Sequence, residues 1–105
     1  ACTKAPLDIA LSELLTAEAL LCPHHVRLAL ADRDEDYTDT GHNIRVPALV
    51  LHGDADAILP PEASAAHNIP GVTHIIYEDI GHTPFLEAPD RFAADLSAFA
   101  LTARG

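Results

Sequence analysis

Two loops carry the residues whose types and spacing suit chemistry. The first follows LVLHGDADAILPPE, residues 49–62, and places Asp56 three positions after Gly53; the second lies in EDIGHTPFLEAPDRF, residues 78–92, where His82 directly follows Gly81. Each is an apolar run broken by a glycine, then a polar side chain. A carboxylate bonded to one imidazole nitrogen fixes the ring tautomer and stabilises the imidazolium, which leaves the other nitrogen free as a base. Asp56 and His82 are therefore candidates for the acid and base of a catalytic triad, with turn capping by Asp56 and an ordinary loop role for His82 as the plainer alternatives. Asp54 reads as a loop support and His52 as a strand-end packing residue or pocket wall. Two His and two Asp at positions 52, 54, 56 and 82 are legitimate ligand types, but their spacing matches no short metal motif, so neither metal nor cofactor is expected.

The elements around these loops read as a parallel α/β arrangement. VPALVLH, in the segment beginning at Ile44, is a continuous apolar run of strand length, as suits a strand buried on both faces, and THIIY, residues 73–77, is a second. Functional groups in such sheets gather in loops after the carboxyl ends of strands, where both candidates fall. The prolines at 60 and 61 predict a short helix from Pro61 or Glu62 to about His67. Pro89 opens a last helix, with Phe92, Ala93, Leu96, Phe99 and Ala100 as its apolar stripe; Phe85 and Leu86 read as core anchors beneath the His82 loop, or as pocket wall. Upstream, Leu7, Leu11, Leu14, Leu15 and Leu21 define one amphipathic helix. Pro23, Val26, Ala29 and Leu30 define a second, and the acidic run from Asp32 to Asn43 is a connector. The expected division is a helical cap-like segment and linker over 1–43 and a strand-helix-strand-helix core over 44–105.

With 105 residues, 49% of them hydrophobic, the chain is at most one domain. Six Lys plus Arg against sixteen Asp plus Glu leave a formal charge of −10, which argues against nucleic acid and anionic membrane surfaces as partners. No apolar stretch approaches the ~20 residues of a membrane helix, and a cytoplasmic setting is expected. Cys2 and Cys22 form no redox or metal spacing and read as free thiols.

Residues 44–105 resemble the C-terminal segment of the α/β-hydrolases, in the branch of esterases, haloperoxidases and enol-lactone hydrolases. The resemblance rests on I-x-V-P-x-L-V-L-H-G-D-x-D-x-I-L-P, then I-P-G, then G-H-T-P-F-L-E-x-P-D-R-F. It implies that Asp56 is the triad acid, His82 the base, and the reaction cleavage of a carboxylic ester or related acyl bond in a small molecule. Residues 1–43 resemble the helical cap that precedes the acid strand in many members. The nucleophile elbow G-x-S-x-G is absent: Ser12, Ser64 and Ser97 have no neighbouring glycine. The expectation is a serine hydrolase segment whose nucleophile comes from a partner chain or a preceding N-terminal half. The alternatives are a non-catalytic remnant or partner-binding module of the same partial fold, and an unusual small hydrolase acting through His82 without serine. Two strands patterned for burial on both faces with few elements to cover them also predict association, with a partner half or by self-pairing.

Overall fold

The computed structural model describes residues 2–104. They fall into two compact units, one of residues 7–36 and one joining residues 2–6 to 37–104. The smaller unit holds α1 (Ile9–Leu21) and α2 (His24–Ala31). Asp8 starts α1 by accepting the amide hydrogens of Ala10 and Leu11, at 3.0 and 3.3 Å, which satisfies two of the donors a helix leaves unpaired at its start. Cys22 ends it in an extended conformation, as a residue before proline is driven to adopt. Pro23 then sits just outside α2, one position earlier than expected, and its carbonyl receives the amides of Val26 and Arg27. Leu11 and Leu15 are half-buried, while Leu14, Leu20 and Leu21 remain exposed.

In the larger unit, β1 (Leu49–Gly53) and β2 (Thr73–Tyr77) form a two-stranded parallel sheet in which Leu51 stands opposite Ile75 and Gly53 opposite Tyr77. The mixed α/β architecture with parallel strands matches the sequence reading. The first strand begins later than the apolar run that encodes it. Pro47 has no amide hydrogen to give a ladder, so pairing starts where the Ala48 carbonyl accepts the Thr73 amide at 2.9 Å. Instead of one helix over 61–67 there are two 3-10 turns, Pro61–Ala63 and Ala65–Asn68. The break is at Ser64, whose backbone is extended and whose Oγ accepts the Ala66 amide at 3.2 Å, a local bond that competes with helix continuation. The stretch read as pure connector contains a short helix, α3 (Thr38–His42), which packs against the second of these turns.

Past β2, α4 (Pro84–Glu87) and α5 (Pro89–Ala103) are separated only at Ala88. Tyr77, fully buried at the end of β2, fastens α5 to the sheet: its hydroxyl donates to Asp95 Oδ2 at 2.5 Å, and the Arg91 guanidinium lies 4.0 Å from its ring centre. Burial, reinforced by the bonded and negatively charged Asp95 and only partly offset by Arg91, pushes the Tyr77 phenol up to about 12. It remains a donor throughout the physiological range.

The covering of the sheet is partial. Leu49 and Leu51 of β1 face Phe92, Leu96 and Phe99 of α5 across an open groove of about 380 Å³. Tyr77, Ala66 and Pro84 are buried, whereas Leu96, Leu101 and Val46 are exposed. Phe85, expected as a core anchor, is also exposed; α4 turns its ring outward, where it meets Phe92 edge-on at 5.9 Å, while Leu86 is half-buried.

The approach of the two functional loops depends on Gly53. It is buried, and a Cβ built there would overlap the backbone carbonyls of Ile80 and Gly81. Backbone cannot retreat as a flexible side chain can. Replacing Gly53 by Ala should destabilise the larger unit by about 3 kcal/mol or more, at or above the upper part of the overpacking range. A urea denaturation midpoint equal to that of the parent would contradict this account of the crossing.

Candidate functional site

The loop after β1 and the loop after β2 are laced together by backbone. The Asp54 amide donates to the Tyr77 carbonyl at 2.9 Å, and the Ala55 amide to the Ile80 carbonyl at 3.0 Å. In return Asp54 Oδ1 accepts the Asp79 amide at 2.6 Å, which supports Asp79 in the left-handed region, φ 56°. The loop-support reading of Asp54 thus acquires a specific partner.

These bonds bring Asp56 and His82 together across 26 positions of sequence, with His82 Nδ1 2.8 Å from Asp56 Oδ2. The aspartate side chain is 4% exposed and the histidine side chain 39%. Asp56 Oδ1 accepts the amides of Ile58 and Leu59, at 2.8 and 2.9 Å, so the turn-capping role and the contact with His82 belong to the same carboxylate. Burial by itself would raise the Asp56 carboxyl. The bonds from Leu59, His82 and Ile58, and the charge attraction to His82, outweigh it and hold the carboxyl at about 2 against an ordinary 3.8. An ionised carboxylate can only accept, so Nδ1 of His82 carries the shared hydrogen. Among the described residues, Nε2 of His82 has no hydrogen-bond partner. Beside the pair lies an open cavity of about 230 Å³, whose walls include Leu51, His52, Leu59, Ser64 and Pro84.

The His82 loop has a second anchor that sequence reasoning did not single out. Glu87 Oε2 accepts the Gly81 amide at 2.8 Å, and Oε1 accepts the amides of Lys4 and Ala5 at 2.8 and 2.9 Å. The Cys2 carbonyl completes the strap by accepting the His82 amide at 2.8 Å and the Thr83 hydroxyl at 3.3 Å. Gly81 permits this approach, because a Cβ there would stand 2.6 Å from the Lys4 nitrogen. Glu87 lies inside the quoted G-H-T-P-F-L-E stretch, so the signal was present, but its partners at positions 4 and 5 are backbone atoms that side-chain types do not announce. Among the described residues no group of three His, Cys, Asp or Glu side chains is arranged to hold a metal ion.

No family model matches the chain. A solved structure from Burkholderia cenocepacia, assigned as an aryl esterase, superposes with a TM-score of 0.88 at 32% identity, over 97% of this chain and 39% of that one. An esterase from Exiguobacterium antarcticum superposes with a TM-score of 0.83 at 26% identity, over 93% of this chain and 38% of that one. The chain has the α/β-hydrolase fold. It corresponds to the C-terminal part of the α/β-hydrolase fold. In sequence, 60 residues are 38% identical to a pimeloyl-acyl-carrier protein methyl ester esterase from Nitrosospira multiformis, covering 55% of this chain and 23% of that protein. The chain thus spans well under half the length of these α/β-hydrolases. Among the described residues no helix is long and apolar enough to cross a membrane.

Two measurements test the site geometry. Because the Asp56 carboxyl titrates lower folded than unfolded, the stability it contributes is complete above about pH 4 and is lost as pH falls through about 2. Asp56→Asn removes that titration. Its unfolding free energy should therefore fall less steeply than the parent's between roughly pH 4 and pH 2, and parallel curves would refute the charge-holding network. Glu87→Ala, in turn, should speed hydrogen exchange at the Gly81, Lys4 and Ala5 amides together and cost about 2 kcal/mol, chiefly because the buried Gly81 amide loses a charged acceptor; unchanged exchange at all three would remove Glu87 from the strap.

Proposed function

We propose that this chain supplies the acid and base of an ester hydrolase, with Asp56 as the acid and His82 as the base. The observation that carries the proposal is the 2.8 Å bond between His82 Nδ1 and Asp56 Oδ2, which leaves Nε2 unpartnered at an open cavity. In this role Nε2 takes the proton of a serine hydroxyl as it attacks the ester carbonyl, then returns it to the departing alcohol. It next removes a proton from the water that cleaves the acyl-enzyme. Throughout, Asp56 keeps the imidazole in one tautomer and balances its transient positive charge.

The nucleophile in this proposal belongs to a region outside the 105 residues. Ser64 borders the cavity, but it is buried and its Oγ caps the second 3-10 turn; Ser97 lies exposed within α5. None of Ser12, Ser64 and Ser97 sits on the glycine-flanked turn that exposes such a nucleophile. The edge of β1 away from β2, which no strand among the described residues pairs, is the place for that region to add, whether it comes from the same polypeptide or another. The names of the similar proteins describe ester hydrolases, which supports ester cleavage as the reaction.

A chimera joining these residues to the portion of the Burkholderia cenocepacia protein that they do not cover should hydrolyse p-nitrophenyl acetate. His82→Ala in that chimera should reduce kcat on the order of 10³-fold or more, within the range for loss of a triad member. Undiminished turnover in the variant would sink the assignment. On its own, the chain should elute from a sizing column larger than a monomer, because the faces of its sheet are incompletely covered, and Leu96→Asp should shift it toward the monomer. A compact monomer in both cases would argue against the docking surface.

A further inference from the structure

Outside the Asp56–His82 pair, a buried polar side chain borders the same cavity: His52, near the end of β1 and 7% exposed. Its Nε2 lies 2.8 Å from the Leu59 carbonyl oxygen and 3.4 Å from Asp56 Oδ2. Both neighbours are acceptors, since a carbonyl oxygen never donates and the Asp56 carboxylate is ionised. One nitrogen facing two acceptors must carry a hydrogen, so the structure assigns His52 the Nε2–H tautomer.

The placement of that hydrogen matters because Leu59 and Asp56 are already joined. The Leu59 amide donates to Asp56 Oδ1 at 2.9 Å, so the carboxylate is held at Oδ1 by the turn it caps, and the turn is held through the Leu59 carbonyl by His52. At Oδ2 the hydrogen-bond partner is His82 at 2.8 Å, while His52 Nε2 stands 3.4 Å away with its hydrogen given to the Leu59 carbonyl. The Asp56 side chain is 4% exposed, so solvent is poorly placed to substitute for the donors that hold it. Removing the His52 hydrogen strands the Leu59 carbonyl and frees the loop segment that aims Oδ2.

We propose that His52 is a positioning residue: its Nε2–H holds the carbonyl of Leu59, whose amide holds Asp56 Oδ1, and so fixes the direction in which Asp56 Oδ2 meets His82. This rests on the reading of Asp56 and His82 as an acid–base pair and adds a third residue to it. The ring also has a packing role, since it stands edge-on to His74 with centroids 6.5 Å apart, and the test must separate packing from hydrogen bonding.

Two substitutions do so. His52→Phe keeps a flat ring against His74 and lacks the hydrogen; His52→Gln loses the ring and restores an N–H near the position of Nε2. Nitrogen-15 NMR of the histidine side chains in the 105-residue chain reads the outcome directly. In the parent, His52 should appear as the Nε2–H tautomer, and His82 should show an Nδ1 hydrogen protected from exchange by Asp56. His52→Phe should speed exchange of that His82 hydrogen about 10-fold or more, and His52→Gln should bring it back toward the parent rate. A purely structural role would make Gln the worse substitution and reverse the order. An Nδ1–H tautomer for His52 in the parent, or a His82 hydrogen indifferent to Phe, overturns the role given to His52 while leaving the pair intact. A parent chain with no protected His82 hydrogen overturns the pair itself, and the role of His52 with it.

Discussion

A carboxylate withdrawn from water must be met by donors, and the site is organised around how Asp56 meets that requirement. Two amides of its own loop hold Oδ1, and His82 holds Oδ2 from a second loop. Local capping and long-range pairing are usually alternative uses for a loop aspartate. Here they are simultaneous, because the two oxygens point at different partners. The cost of burial is outweighed by these bonds, and the carboxyl stays charged far into acid. A fixed negative charge of this kind also decides the tautomer of the imidazole bonded to it, so a single buried group determines which ring nitrogen is left without a hydrogen.

The surrounding fold makes that meeting geometrically possible, and much of it is backbone. Gly53 lets the Ile80–Gly81 carbonyls cross at contact distance, and Gly81 lets residues 3 and 4 lie against the His82 loop. Glu87 then gathers amides from both segments. This precision contrasts with the rest of the larger unit, where α5 leaves open grooves against β1 and leucines in view. The loops are held by hydrogen bonds that need few residues, whereas covering a parallel sheet needs area that few neighbouring elements supply. The proposed addition of a further region at β1 would meet that second need without disturbing the first.

The order strand, loop, strand, loop, helix could be read along the chain because its signals are local: two apolar runs of strand length, glycines where each ends, and a proline opening the final helix. β2 has the limits that THIIY suggests. Readings failed where a local preference competed with another. Ser64 splits the expected helix by capping, Pro47 delays β1 by lacking a donor, and the 38–42 stretch turns helical against a neighbour although its composition suggests a connector. Phe85 was expected inside on hydrophobicity alone, yet the tight turn of α4 points it outward against Phe92.

Asp56 and His82 could be singled out as candidates from residue type and from their loops, each following a glycine at the end of an apolar run. Their 2.8 Å separation, the bond from His52 to the Leu59 carbonyl, and the grip of Glu87 on residues 4 and 5 are different in kind. Each involves partners that lie far apart in sequence or are main-chain atoms common to every residue, so no pattern of side chains along the chain encodes them. They come into being only when the strands are paired in register and the loops are folded over one another.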